Sequence, residues 1–201
     1  MEQAKRDCIL IEAARAFAQF GFKKASVDEI AKRARVAKGT IYLAADSKED
    51  LFYQVLRREV QAWTAEVSQV IDPAVPADQL IPLAAITSAQ RLEHHPLVRD
   101  LLYGECHELL ADSGWHSRLD GLRELGGANV REILRIGIKQ KVFREEIDVD
   151  EVAALLQDMQ LATFVFHGHH PNREERYAKR AQAGVDLVLN GLRPRSHAHH
   201  P

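Results

Sequence analysis

The chain has 201 residues, 46% hydrophobic and 28% charged, with a formal net charge of -2. That length supports a sizeable buried core, and the composition excludes wholesale disorder, collagen-like repeats and low-complexity fibres. Two cysteines, Cys8 and Cys106, fit a reducing compartment; the charged start and the lack of any apolar run near the roughly 20 residues a membrane helix needs point to the cytoplasm.

The charge is unevenly spread. Residues 1–58 carry 12 Lys and Arg against 8 Asp and Glu, and the remainder carries 15 against 21. Six of the basic residues lie between Lys23 and Lys38. A local basic patch on an otherwise acidic protein suits docking on phosphate without coating it, although the same residues also make an ordinary solvated helical face.

The chain reads as all-α, with about nine helices. Ile9, Ala13, Ala16, Phe17 and Phe20 form one apolar stripe, and Gly21 supplies a stop. Ser26 opens a second, short helix, and with Glu29 three residues on it makes a capping box. Ile30 and Ala34 face inward. After a short connection a third helix runs from about Lys38 to Leu43.

Ser47 caps a long fourth helix, with Glu49 and Asp50 well placed in its first turn. Its stripe of Phe52, Val55, Leu56, Val60, Trp63, Val67 and Val70 lasts about five turns, until Pro73 and Pro76. Further helical patterns lie near 78–93, 96–111, 116–141, 149–167 and 173–192. The expected division is a small N-terminal domain over 1–47, a larger helical domain over 48–192, and a disordered tail over 193–201, with the fourth helix bridging the two domains.

Residues 26–51 carry the most information. Two short helices joined by a tight connection form a helix-turn-helix, whose second helix can enter the major groove of DNA. Ala31 and Ala34 are small where helices must approach. Gly39 and Thr40 keep the second helix slim. Lys38, Thr40 and Tyr42 supply a charge, a hydroxyl and a phenol, while Ser26 and Lys48 sit at helix starts, where free amides attract phosphate.

Four ordered motifs then stand out: Phe17 to Phe22, Ser26 to Ala31, Ala37-Lys38-Gly39-Thr40-Ile41-Tyr42, and Ser47 to Phe52. In these the sequence resembles the TetR/AcrR family of transcriptional regulators. The resemblance covers the first quarter of the chain in motif detail and the rest in architecture alone. It implies a DNA-binding head of three helices and a body that binds a small molecule and dimerises. It also implies repression that ends when ligand binds. Carried over by position, Ala37, Lys38, Gly39, Thr40 and Tyr42 meet the groove and its rims, and Ser26 and Lys48 meet phosphates.

One departure is clear. The family pattern has an aromatic pair where this chain has Ala44 and Ala45. That removes a phosphate contact at the first position and a core plug at the second. A missing buried Phe costs about 3–5 kcal/mol if nothing refills the space.

Polar and aromatic residues on the apolar central helices are the candidate effector contacts: Trp63, Tyr103, His107, Trp115, Gln160, Phe164 and His167. Such a lining suits a hydrophobic or amphipathic small molecule. Leu155, Met159 and Phe166 on one C-terminal stripe, and Tyr177, Ala181, Gly184 and Val188 on another, are candidates for a four-helix homodimer interface. A symmetric dimer suits a palindromic operator in double-stranded DNA.

No phosphate loop, nucleophile elbow, zincin spacing or dinucleotide fingerprint is present, so neither an enzyme nor a cofactor is expected. No metal is expected either: His94-His95 and the cluster of His167, His169 and His170 lack a helix-borne ligand signature. The competing readings are a helical interaction protein whose head no longer reads sequence, motivated by Ala44 and Ala45, and a metal-responsive regulator using the His167–His170 cluster.

Overall fold

The computed structural model describes residues 2–104, 113–167 and 171–193. Cys106, His107, His169, His170 and the tail beyond Arg193 lie outside the described residues, as do the side chains of His167 and Ala181. Nine α-helices and no strand occur among the described residues. They are α1 (Gln3–Lys24), α2 (Val27–Arg33), α3 (Lys38–Tyr42), α4 (Lys48–Ser68), α5 (Ala77–Leu92), α6 (Pro96–Leu102), α7 (His116–Lys139), α8 (Val149–His167) and α9 (Arg173–Leu192). A short 3-10 turn, Ser113–Trp115, leads into α7. None of these helices is long and apolar enough to cross a membrane.

The stripe on α1 buries Ile9, Leu10, Ala13, Ala16 and Phe17. Gly21 does break the helix, with φ 72° and ψ 167°, a conformation that favours glycine, but a further turn continues to Lys24. The kink turns Phe22 back onto Phe17, with ring centroids 6.2 Å apart. Ser26 occupies the cap position of α2, yet its side chain makes no capping bond. The expected capping box is therefore not formed: the Glu29 carboxylate accepts from Arg33 Nε at 3.0 Å instead. Ser47 does cap α4, accepting from Asp50 N at 3.1 Å.

The turn between α2 and α3 is tight because Arg35 adopts φ 55°. Val36 N donates to Ala31 O at 3.0 Å and closes α2. Ile30, Ala31, Ala34 and Ile41 are buried in one core with residues of α1 and α4, and α2 packs on α1 while α3 packs on α2.

Helix α4 is the axis of the molecule and packs on α1, α5, α6 and α7. Around its first half lies one core, which takes in the three N-terminal helices together with Leu97, Val98, Trp115, Leu122, Phe164 and Tyr177. Around its far end lies a second core of Val67, Leu80, Ile81, Ile133, Leu134, Phe143, Ala153, Val185 and Leu189. The first core runs across residue 47 without interruption. Helix α7 ends where the Phe143 ring packs directly on Gly137, leaving no room for a Cβ there.

Candidate nucleic-acid interface and interior site

Helix α3 has one inward residue, Ile41, which is buried. Its other positions turn outward: Lys38, Gly39 and Tyr42 are exposed and Thr40 is half-buried. Ala37 and Ser26 are exposed beside them. A Cβ added at Gly39 would meet nothing within 4 Å, so the protein's own packing does not demand a glycine there. The small residue leaves room for something outside the subunit.

The charges on this face are already engaged. Lys38 Nζ donates to Asp28 Oδ2 at 2.9 Å, and this bond, with the attraction behind it, raises the pKa of the ammonium. Lys48 Nζ donates to Lys23 O at 3.1 Å and sits 4.7 Å from the centroid of the Phe22 ring. A cation at the start of α4 opposes that helix dipole, but here it meets a carbonyl at the closing end of α1, where a cation is favourable. Leu43, which the sequence reading left out of the interface, is 77% exposed at the end of α3. It does not refill the space left by the missing aromatics. Ala44 and Ala45 are themselves buried, in the core that also holds Phe17, Phe52 and Trp115.

Four of the candidate effector residues come together inside the body. Trp63 Nε1 donates to Ser88 O at 3.0 Å, and Gln160 Nε2 donates to Ser88 Oγ at 3.0 Å and to Tyr177 OH at 3.1 Å. Tyr177 OH in turn donates to Ala85 O at 3.1 Å, and its ring stacks on Phe164 at 4.9 Å. Tyr103 approaches Phe164 at 6.4 Å. Burial raises the pKa of the Tyr177 phenol to about 12. Ser88 carries no spacing signal that points to an effector, and the place of Tyr177 on the apolar stripe of the last helix assigns it by pattern to the dimer interface. Trp115 stands apart, packed against Phe52 and Tyr53 with centroids at 5.9 and 6.2 Å.

Helix α6 is held to α4 by Glu59, whose Oε1 accepts from Leu97 N at 2.8 Å and from Val98 N at 3.3 Å. Burial raises the pKa of this carboxyl, and the two amides oppose that rise. Among the described residues, no three metal-ligating side chains come together.

The candidate dimer residues divide between two faces. Leu155 and Phe166 are 56% and 79% exposed on α8, and Leu187 on α9, absent from the sequence-derived set, is 74% exposed. Met159 and Gly184 face each other within the subunit, where a Cβ on the glycine would lie 2.8 Å from Met159 Cε. Tyr177 points into the interior cluster, and Val188 is half-buried against the second core.

Residues 9–55 match the family model for bacterial regulatory proteins of the tetR family. The transcriptional repressor KstR2 of Rhodococcus jostii is 24% identical over 195 residues, 95% of this chain and 92% of that protein. The transcriptional regulator YhgD of Bacillus subtilis is 29% identical over 93 residues, 46% of this chain and 49% of that protein, so the match spans about half of YhgD. Among solved structures, FadR of Thermus thermophilus, a transcriptional repressor in complex with lauroyl-CoA, superposes with a TM-score of 0.73 at 22% identity, covering 98% of both chains. With α2 packed on α1, α3 packed on α2 and the helical body behind them, residues 9–55 form a DNA-binding head of the tetR family of bacterial regulatory proteins.

Proposed function

We propose that this protein is a homodimeric, effector-responsive repressor that reads a palindromic operator with α3. The observation that carries the reading is the outward face of α3, where Lys38, Gly39, Thr40 and Tyr42 stand over the buried Ile41. The exposed Leu155, Phe166 and Leu187 support pairing of two subunits through α8 and α9. Pairing sets two copies of α3 at a fixed separation, and operators are matched by that spacing.

The interior cluster of Trp63, Ser88, Gln160, Phe164 and Tyr177 supports an effector site in the body. It offers aromatic surface with a few polar groups that can be redirected to a ligand. An effector there shifts the population toward a spacing of the heads that no longer fits both half-sites. Because the Thermus FadR structure holds lauroyl-CoA, acyl-CoA thioesters are the first class to test.

Selection of duplexes from a random pool tests the DNA reading. A recovered palindrome is the expected result. Recovery of no motif by folded dimer would favour the interaction protein with a silent head. For the effector, the tryptophan fluorescence of the wild-type protein reports on Trp63, one of the chain's two tryptophans, and Trp63→Phe removes that part of the signal. Lauroyl-CoA is expected to change Trp63 fluorescence and to release the selected duplex over the same concentration range.

A further inference from the structure

We propose that Arg118 and Trp115, at the head of α7, are positioning residues for DNA reading: they hold the segment that follows the recognition helix through Asp50 and Gln54. This rests on the reading that α3 binds DNA. Arg118 lies far along the chain from the head, and neither residue lies on the outward face of α3.

The chain of contacts is short. The Arg118 guanidinium lies 5.3 Å from the centroid of Tyr53 and 5.4 Å from that of Trp115, and Arg118 Nη2 is 3.6 Å from Asp50 Oδ1. A planar, weakly hydrated cation suits that place between two rings and a carboxylate. The other oxygen, Asp50 Oδ2, accepts from Asp46 N at 3.2 Å and from Gln54 Nε2 at 2.8 Å. The same Gln54 nitrogen donates to Ala44 O at 3.0 Å, and Gln54 Oε1 accepts from Arg6 Nη2 at 2.9 Å. One carboxylate and one amide therefore join α7, α4, α1 and the two backbone positions Ala44 and Asp46.

The small side chains at 44 and 45 give this network its importance. With an alanine at each, the segment after α3 has no large side chain of its own to key it into the core. Its register is set instead by backbone bonds to the Asp50–Gln54 pair, and Trp115, fully buried against Phe52 and Tyr53, keeps that pair beside Arg118. A small displacement at the head of α7 is then passed to α3 by bonds rather than by bulk packing.

The test measures affinity for the selected operator at several salt concentrations, using the full-length wild-type dimer and Arg118→Ala, Asp50→Ala, the double variant and Arg118→Lys. The expected result is an operator affinity about tenfold weaker for each alanine variant, with the salt slope unchanged because no phosphate contact is lost. The double variant is expected to bind as the weaker single does, and Arg118→Lys to fall between wild type and Arg118→Ala. Wild-type affinity in the alanine variants, additive losses, or a salt slope reduced by about one would each overturn the proposal, the last by making Arg118 a direct phosphate ligand. If Arg118→Ala does not fold, Arg118→Lys carries the comparison: weaker binding at constant slope supports the proposal, and unchanged binding overturns it. Failure of the wild type to bind any duplex would strike the DNA reading itself.

Discussion

Lys38 Nζ bonds Asp28 Oδ2 at 2.9 Å, tying the first residue of the recognition helix to the first turn of α2. A phosphate approaching Lys38 must compete with that carboxylate. Asp28→Asn is therefore expected to strengthen operator binding and to steepen its salt dependence by up to about one unit of slope. Fluorescence anisotropy across a salt series measures both. Unchanged affinity and slope would place Lys38 off the DNA.

Gly39 separates folding from recognition. Nothing in the subunit lies within 4 Å of an added Cβ, and alanine is the better helix former by about 0.5–1 kcal/mol. Gly39→Ala is expected to melt at the same temperature as wild type or higher while binding operator more weakly. A variant that melts higher and binds equally well would show that α3 does not approach DNA closely at this point.

Glu59 makes stability depend on pH. Burial raises its carboxyl pKa from 4.5, so the folded state favours the protonated form. Its contribution is fully present below the unfolded pKa and is lost as pH rises through the raised folded value. Glu59→Gln keeps an acceptor for Leu97 N without the charge. It is expected to melt higher than wild type at neutral pH, with the difference vanishing in acid. A constant difference across that range in thermal melts would contradict the assignment.

Tyr177 acts at the other end of the scale. Its phenol is raised from 10.0 to about 12, chiefly by burial, so the folded state favours the neutral form. That stability is complete below pH 10 and is lost as pH rises from there toward 12. Tyr177→Phe removes the bond to Ala85 O and one from Gln160 and is expected to cost about 1–2 kcal/mol at neutral pH. It should also flatten the alkaline arm of the stability curve, as denaturant melts at increasing pH would record.

The helices were legible in the sequence because each carries an apolar stripe at helical spacing and a start or stop residue. The bounds of α8 and α9 coincide with those read from the pattern, and α3 was placed within one residue. Caps were less legible: the Ser47 side chain accepts from Asp50 N, whereas the Ser26 side chain, in the same position of α2, makes no capping bond, and the Glu29 carboxylate accepts from Arg33. A local motif says which bond is available, and the neighbours decide whether it forms.

The sequence by itself determined an all-helical chain with a helix-turn-helix near its start, because periodicity, caps and ordered motifs are local properties of neighbouring residues. Only the tertiary structure decided which distant residues meet. It drew Tyr177 inward to Gln160 and Phe164, left Leu187 outside, and set Arg118 and Trp115 against the start of α4. Those pairings depend on how helices cross around α4, and a stripe of apolar residues fixes which face of a helix is buried without naming the partner that covers it.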